Sequence, residues 1–202
     1  MKNLFRAIWV TLALAAAGAS QAEVGYEMIT PPQNTDNPEK VEVLEFFWYG
    51  CPHCYQLEPA FEHWKKNSKA DYVEVVRAAP PLNPAWSNHA RAFYAAEILG
   101  VLDSFHEPMF KALHEDRKRL HRMEDIAKFA GSLGIDENKF LNTMKSPAVH
   151  VKINRARQQA IAMGITGVPA VVVNGKYKTS ASLAGSYDQM FKIVDEMAEK
   201  ER

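Results

Sequence analysis

Two cysteines three positions apart are the residues of this chain best suited to chemistry. Cys51 and Cys54 occur in a Cys-Pro-His-Cys sequence, and the 202 residues contain no other cysteine. A Cys-x-x-Cys placed between a strand-like run and a helix-like run is typical of redox chemistry. The spacing therefore predicts a pair that cycles between a dithiol and a disulfide.

The residues around the pair predict which thiol reacts. We expect Cys51 at the N-cap of a helix and Pro52 at its first position, where proline is favoured. Free backbone N–H groups and the helix dipole would then lower the pKa of Cys51 below about 8.5. Protonated His53 would attract the same thiolate, and the deeper Cys54 would be the resolving thiol. A stabilised thiolate favours the reduced form, so the disulfide should pass oxidation to another protein.

Two other uses of the pair are less favoured. A purely structural disulfide would close a four-residue loop, which stabilises a fold by only about 2 kcal/mol. Zinc would need two further ligands, and no second Cys-x-x-Cys or closely spaced histidine pair exists. No metal site is therefore predicted. The histidines outside the motif are scattered along predicted helices and are expected to be solvated: His63, His89, His106, His114, His121 and His150.

The elements that position the pair form a β-α-β, helical block, β-β-α order. Strands are predicted over residues 26–29, 41–49, 72–78, 170–173 and 176–179. A helix follows the motif to about Asn67, and the last helix covers 186–200. Residues 83–163 read as successive helices, one of them capped by Ser104. A single split α/β domain with a helical insertion explains this order best.

Two features outside the motif support the redox interpretation. Glu45 lies in an apolar strand six residues before Cys51, so its pKa should be raised and it could relay a proton to or from Cys54. The alternative is an edge position or a salt bridge with a lysine. Val168-Pro169 directly precedes a strand. Only about 5–6% of X-Pro bonds are cis, so the sequence alone favours trans.

The N-terminus predicts export. Lys2 and Arg6, an apolar stretch over 7–17 and Ser20-Gln21-Ala22 predict a signal peptide over 1–22. The stretch is too short to span a bilayer of about 30 Å, although a membrane anchor is the alternative. Oxidising compartments preserve disulfides. With 24 basic and 24 acidic residues, the chain suggests neither nucleic acid nor an anionic membrane as partner.

Together these residues resemble the DsbA family of periplasmic thiol:disulfide oxidoreductases. The resemblance rests on Cys51 to Cys54, Val168-Pro169, Glu45 and the order of elements. It implies a thioredoxin fold, with a central mixed sheet flanked by helices, over 23–82 and 164–202. An all-helical subdomain would be inserted over 83–163.

The resemblance also implies roles for individual residues. Pro169 would follow a cis bond, and the Val168 backbone would dock an extended substrate chain by strand addition. Glu58 matches a further family acid near the pair, the alternative being a solvated residue of the helix, and Arg77 matches the basic neighbour of Glu45. Gly50 departs from the aromatic residue that some members carry before the first cysteine, which puts the local apolar docking surface in doubt, although Trp48 and Tyr49 could compensate for it.

The activity implied is a periplasmic dithiol oxidase that donates the Cys51–Cys54 disulfide to reduced exported proteins. A quinone-linked inner-membrane partner of the DsbB type would reoxidise it. We expect a monomer that uses no cofactor beyond the cysteine pair. The alternatives are a periplasmic disulfide reductase or isomerase, and a non-catalytic, chaperone-like peptide-binding module.

Overall fold

A central five-stranded sheet organises the fold in the computed structural model, which describes residues 25–202. The predicted signal peptide, residues 1–22, lies outside the described residues. Across 25–202, every helix is too short or too polar to cross a membrane.

The strands and helices follow the predicted order. The strands are β1 (Tyr26–Met28), β2 (Val41–Phe46), β3 (Val73–Ala78), β4 (Ala170–Val173) and β5 (Tyr177–Thr179). The helices are α1 (Pro52–Asn67), α2 (Ser87–Ile98), α3 (Leu102–His114), α4 (Met123–Ser132), α5 (Glu137–Met144), α6 (Pro147–Ala162), α7 (Ala181–Ala184) and α8 (Tyr187–Lys200). A short 3-10 turn, Pro84–Trp86, precedes α2.

The sheet is mixed, with strand order β1-β5-β4-β2-β3. Strands β2 and β3 run parallel, and the other neighbours run antiparallel. All six residues of β2 are buried, because both faces of the sheet are covered. This confirms the expected α/β fold with a central mixed sheet flanked by helices.

Alternation along β2 separates two hydrophobic cores. Leu44 and Phe46 pack into a core that includes residues of the helical block, whereas Val43 packs against α1 and α8 on the other face. Glu45 follows the same alternation and points toward α1. This strand therefore places a carboxyl group on the face that carries the helix after the cysteine motif.

Five helices, α2 to α6, lie between β3 and β4. Helix α2 is their centre, since it contacts α3, α4, α5 and α6. The division into a thioredoxin-like part and an inserted subdomain stays a prediction, but the helical stretch fills the interval in which it was expected.

Local sequence signals fixed some boundaries and missed others. The strand predicted over 41–49 ends at Phe46, because the chain leaves the sheet to turn into α1. The prediction that Ser104 caps α3 is wrong: the helix begins at Leu102, and the Ser104 hydroxyl donates to the Val101 carbonyl. Helix α7 was not predicted; Ser180 caps it, accepting from the Leu183 N–H.

Candidate active site

The first turn of α1 holds the cysteine pair. Cys51 is the N-cap residue with extended backbone angles, and Pro52 occupies the first helical position. The Cys51 Sγ accepts the backbone N–H of Cys54 at 3.4 Å. The expected helix-start geometry is confirmed, and it directs an otherwise unsatisfied N–H group at the sulfur.

The two thiols have opposite environments. Hydrogen bonding from the Cys54 side chain lowers the pKa of Cys51 to about 6, helped by the N–H groups of Cys54 and His53 and by the His53 charge, and opposed by partial burial. Burial raises the pKa of Cys54, and its hydrogen bond to Cys51 raises it further. Cys54 is fully buried, whereas Cys51 keeps 7% of its surface exposed. The arrangement supplies one ionised, reachable sulfur and one protonated, buried sulfur.

A proline loop faces the reactive sulfur. The Val168–Pro169 peptide bond is cis, as the family resemblance implied and the sequence alone did not. The Cys51 Sγ lies 3.4 Å from the Val168 carbonyl oxygen, to which it donates when it is protonated, across 117 positions of sequence. The structure therefore brings together the two segments that were singled out from sequence, with a backbone edge beside the thiol.

A groove continues from this edge along β5 and α7. It has a volume of about 590 Å³, and its walls include His53, Val168, Pro169, Leu183 and Tyr187. The His53 side chain lies on the exposed surface, with Nδ1 3.3 Å from the Gln56 Oε1. The Tyr187 hydroxyl donates to the His53 carbonyl at 3.1 Å, which joins α8 to the active-site turn.

Glu45 lies at the centre of a buried ionic cluster. Arg77 Nε donates to the Glu45 carboxylate at 2.7 Å, and its terminal nitrogen donates to both oxygens of Glu58 at 3.0 and 3.1 Å. Burial raises the pKa of both carboxyl groups, and the Arg77 charge opposes that rise. The alternatives of an edge position or a lysine partner are wrong for Glu45, because β2 is a central strand and the partner is arginine.

The cluster lies near Cys54 but has no direct hydrogen bond to it among residues 25–202. The negative charge of Glu45 is one of the influences that raise the pKa of the Cys54 thiol. A proton relay between Glu45 and Cys54 thus stays a prediction.

Sequence reasoning missed the roles of Tyr49 and His106. The Tyr49 hydroxyl lies 2.8 Å from His106 Nδ1, and His106 Nε2 lies 3.3 Å from a Glu58 oxygen. Burial lowers the pKa of His106 to about 3, so the ring is neutral, and the prediction that it is solvated is wrong. The available signal was its spacing from Met109 and Phe110 on the apolar face of α3.

His89 was likewise expected in solvent and is buried instead. Its Nε2 donates to the Leu120 carbonyl at 2.8 Å, and its ring stacks near Trp48 with centroids 5.8 Å apart. Burial lowers the pKa of His89 to about 4. A helical pattern dominated by alanine gave no sign that this position faces inward.

Gly50 has a packing role that explains its departure from the family pattern. A Cβ at this position would lie 2.3 Å from the Trp48 ring. That indole stacks on Trp86 with centroids 4.5 Å apart and nearly parallel planes. A larger side chain at position 50 would therefore clash, and the Trp48–Trp86 pair provides aromatic surface beside the motif instead.

Within the part of the chain that the structure describes, no three His, Cys, Asp or Glu side chains cluster closely enough to hold a metal ion.

Known proteins resemble the chain over nearly its whole length. The DSBA-like thioredoxin domain family matches residues 42–197. The thiol:disulfide interchange protein DsbA of Pseudomonas aeruginosa is 36% identical over 207 residues, covering 100% of this chain and 98% of the relative. The corresponding DsbA of Bordetella parapertussis is 37% identical over 197 residues, covering 97% and 93%.

Solved structures agree with these sequence matches. A crystal structure of Pseudomonas aeruginosa DsbA superposes with a TM-score of 0.84 at 37% identity, covering 89% of this chain and 93% of that one. The oxidoreductase DsbA from Xylella fastidiosa superposes with a TM-score of 0.82 at 28% identity, covering 88% and 95%.

Proposed function

The chain belongs to the DsbA family of thioredoxin-fold thiol:disulfide oxidoreductases, and from that premise we propose that its Cys51–Cys54 disulfide is donated to reduced exported proteins in the periplasm. The observation that carries the proposal is that the two thiols differ in accessibility and in the direction of their pKa shifts. Cys51 is reachable and its pKa is lowered to about 6, whereas burial raises the pKa of Cys54.

The reaction transfers two electrons from substrate to enzyme. A substrate thiolate attacks Cys51 Sγ, the Cys51–Cys54 bond breaks, and Cys54 takes up a proton. A second substrate thiolate then attacks the substrate sulfur of the mixed disulfide, and Cys51 leaves as a thiolate. A low-pKa sulfur is the better leaving group, so the geometry favours release of oxidised substrate. One substrate disulfide forms for each enzyme disulfide lost.

The neighbouring residues have distinct proposed roles. Pro52 fixes the helix start, and His53 supports the Cys51 thiolate through its backbone N–H and its charge. The Val168 backbone receives an extended substrate chain beside the sulfur, and cis-Pro169 shapes that edge. Glu45 exchanges a proton with Cys54 from within the Arg77 cluster.

The partners follow from the same chemistry. Each turnover leaves a dithiol, so an oxidant must restore the disulfide, and by resemblance to the family we propose a quinone-linked inner-membrane partner of the DsbB type. We propose that the protein acts as a monomer without a further cofactor. Its two regions would be a thioredoxin-like domain over 23–82 and 164–202 and a helical insertion over 83–163, with residues 1–22 removed on export.

Trapping the mixed disulfide tests this function. With reduced exported protein, oxidised wild type should turn over completely. An exported protein that keeps a single cysteine has no second thiol to release Cys51, so Cys54→Ser, preloaded as a Cys51 mixed disulfide with a small thiol, should exchange onto it and stop at the mixed disulfide between the two proteins. Cys51→Ser should form no adduct. If Cys51→Ser fully restored disulfide formation in exported proteins of cells lacking their own oxidase, the enzymatic role would be contradicted and a chaperone-like module favoured.

A further inference from the structure

A strongly basic segment lies next to the active site and plays no part in the thiol chemistry. We call residues 117–122, Arg-Lys-Arg-Leu-His-Arg, the basic segment. It contains four arginines or lysines, one histidine and no acid, in a chain whose 24 basic and 24 acidic residues cancel overall. Such a local excess of one charge creates a field that acts on approaching partners.

Contacts with the active-site turn fix where the basic segment lies. At the end of α3, just before the segment, His114 Nε2 donates to the Tyr49 carbonyl at 2.7 Å, two residues before Cys51. The His114 ring also stacks on Tyr55 of α1, with centroids 5.0 Å apart. The entrance to the segment is thus attached to both sides of the cysteine turn.

The exit of the segment is attached as well. His89 Nε2 donates to the Leu120 carbonyl, and the Asn88 side chain donates to the His121 carbonyl, both at 2.8 Å. His89 in turn stacks near Trp48, three residues before Cys51. Both ends of the segment are therefore held at residues that contact the cysteine turn, which places the segment beside a chain bound at Cys51.

The first residue of the segment, Arg117, has an unfavourable backbone conformation. Arg117 has φ of 55°, in the left-handed region, which costs a residue other than glycine about 1–2 kcal/mol. The Lys118 N–H donates to the Ala112 carbonyl at 2.8 Å, which fixes this turn at the end of α3.

Two of the cations are unpaired. Lys118 lies 3.2 Å from Asp116, and Arg122 lies 3.7 Å from Glu124. Arg117 and Arg119 are exposed, and neither forms an ion pair with any residue in 25–202. The acidic side chains in and around this stretch are Glu115, Asp116, Glu124 and Asp125. The Tyr55 hydroxyl donates to Glu115, which keeps that carboxylate on α1.

We propose that the basic segment binds acidic side chains that lie within a few residues of the reacting cysteine of a polypeptide partner, a specificity that rests on the proposed disulfide donation. The planar guanidinium groups of Arg117 and Arg119 match carboxylates in charge and geometry. Attraction between these exposed charges chiefly raises the rate at which the polypeptide partner and the protein associate, and salt weakens that attraction.

A polypeptide fits this surface better than an anionic membrane does. Surface-bound segments insert apolar side chains below the headgroups. The exposed large apolar residues among those described lie elsewhere: Met28, Ile98, Val151, Ile161 and Leu183. A flat anionic surface would also be repelled by Glu115 and Asp116, which lie beside the segment. A peptide can place its carboxylates on the arginines and away from these two acids.

Rates of peptide oxidation test the proposal. Three reduced dithiol peptides of one length would carry Glu, Gln or Lys at the positions within a few residues of the first cysteine on both sides, and stopped flow would give second-order rate constants with the oxidised protein. We expect the Glu peptide to react roughly three- to tenfold faster with wild type than with Arg117→Asn/Arg119→Ser at about 20 mM salt, and about equally fast at 500 mM. Comparing proteins on one peptide cancels the effect of Glu on the peptide's own thiol pKa.

Matched variants separate charge from folding. Asn tolerates the left-handed backbone at position 117. Arg117→Lys/Arg119→Lys keeps both charges and should restore most of the rate on the Glu peptide. Lys66→Ser removes an exposed cation fifteen residues along α1 from Cys51, about 22 Å away, and should leave the rates unchanged.

The outcomes distinguish this inference from the proposed function. Failure to oxidise any of the three peptides would count against disulfide donation itself. Equal effects of the double variant on the Glu, Gln and Lys peptides would overturn the inference alone. Binding to vesicles rich in phosphatidylglycerol that disappears in the double variant, without a change in peptide selectivity, would also overturn it in favour of a lipid surface.

Discussion

At the residue scale, two identical side chains three positions apart acquire opposite properties. Cys51 takes the N-cap and collects hydrogen bonds that favour its thiolate, whereas Cys54 enters the first turn and loses contact with water. The sequence predicted this asymmetry because Pro52 fixes where the helix starts, and the helix start decides which sulfur meets free N–H groups.

The contribution of His53 can be measured separately. His53→Leu removes the ring charge but keeps the backbone N–H, so the pKa of Cys51 should rise by less than about one unit. Thiolate absorbance titrated against pH measures this, with Gln56→Ala as a control in the same turn. An unchanged titration would show that the ring has no influence, and a rise of several units would show that the hydrogen bonds from the Cys54 side chain and the backbone N–H groups do not dominate.

Sequence could not reveal the buried histidines at this scale. His106 and His89 satisfy only one ring nitrogen each among the described residues, and both lack charge because they are buried. Their partners, Tyr49 and Leu120, are distant in sequence, so only the packing of α2 and α3 brings them together. Glu45 was predictable because it interrupts an apolar strand, whereas its pairing with Arg77 became visible only in the register of β2 and β3.

At the element scale, the turn between β2 and α1 depends on close packing at Gly50. The Trp48 indole occupies the space that a side chain at position 50 would need and stacks on Trp86 before α2. Strand β2, helix α1 and the start of the helical block thus meet at one residue. The sequence identified Gly50 as an exception and offered Trp48 and Tyr49 as compensating rings, but it could not show that Trp48 stacks on Trp86.

Gly50→Ala should therefore weaken the fold. Its Cβ would clash with Trp48, and we expect a loss of about 1–3 kcal/mol in the free energy of unfolding, measured in urea, together with altered tryptophan fluorescence. Gly131→Ala is the matched control: it adds a Cβ inside α4 at ordinary contact distance and should stabilise the protein by up to about 1 kcal/mol. Equal effects of the two substitutions would refute the packing role of Gly50.

At the scale of the whole molecule, the sheet separates two cores that both bury ionisable groups. The Glu45–Arg77–Glu58 cluster lies on the α1 side of the sheet and extends to His106 of α3, whereas His89 lies with the helical block. The order of elements and the α/β fold were predictable from hydrophobic periodicity, since strands and helices alternate in the pattern of a split domain. Which buried polar residues pair with each other was not predictable, because that depends on contacts between elements far apart in the chain.

Buried histidines make the fold sensitive to acid. Because burial lowers the pKa of His89 from 6.5 to about 4, the folded state binds fewer protons than the unfolded state below pH 6.5. This stability is fully present above pH 6.5 and is lost as the pH falls toward 4, at about 1.4 kcal/mol per pH unit.

Urea unfolding between pH 7 and pH 4.5 measures this dependence. His89→Gln keeps a donor for the Leu120 carbonyl but does not titrate, so its stability should fall less steeply with acid than that of wild type. His150→Gln changes an exposed ring and should follow wild type. Parallel curves for all three proteins would contradict the assignment of acid sensitivity to His89.

The central claim is that stabilising the Cys51 thiolate makes the Cys51–Cys54 disulfide a donor, and the equilibrium redox potential of the pair tests it most directly. Measured against glutathione, the potential should be clearly less negative than thioredoxin's value of about −270 mV. Its pH dependence should weaken from about 59 to about 30 mV per pH unit as the pH rises past about 6, because reduction then takes up one proton instead of two. A potential at or below that of thioredoxin, or a change of slope near pH 9, would contradict the account.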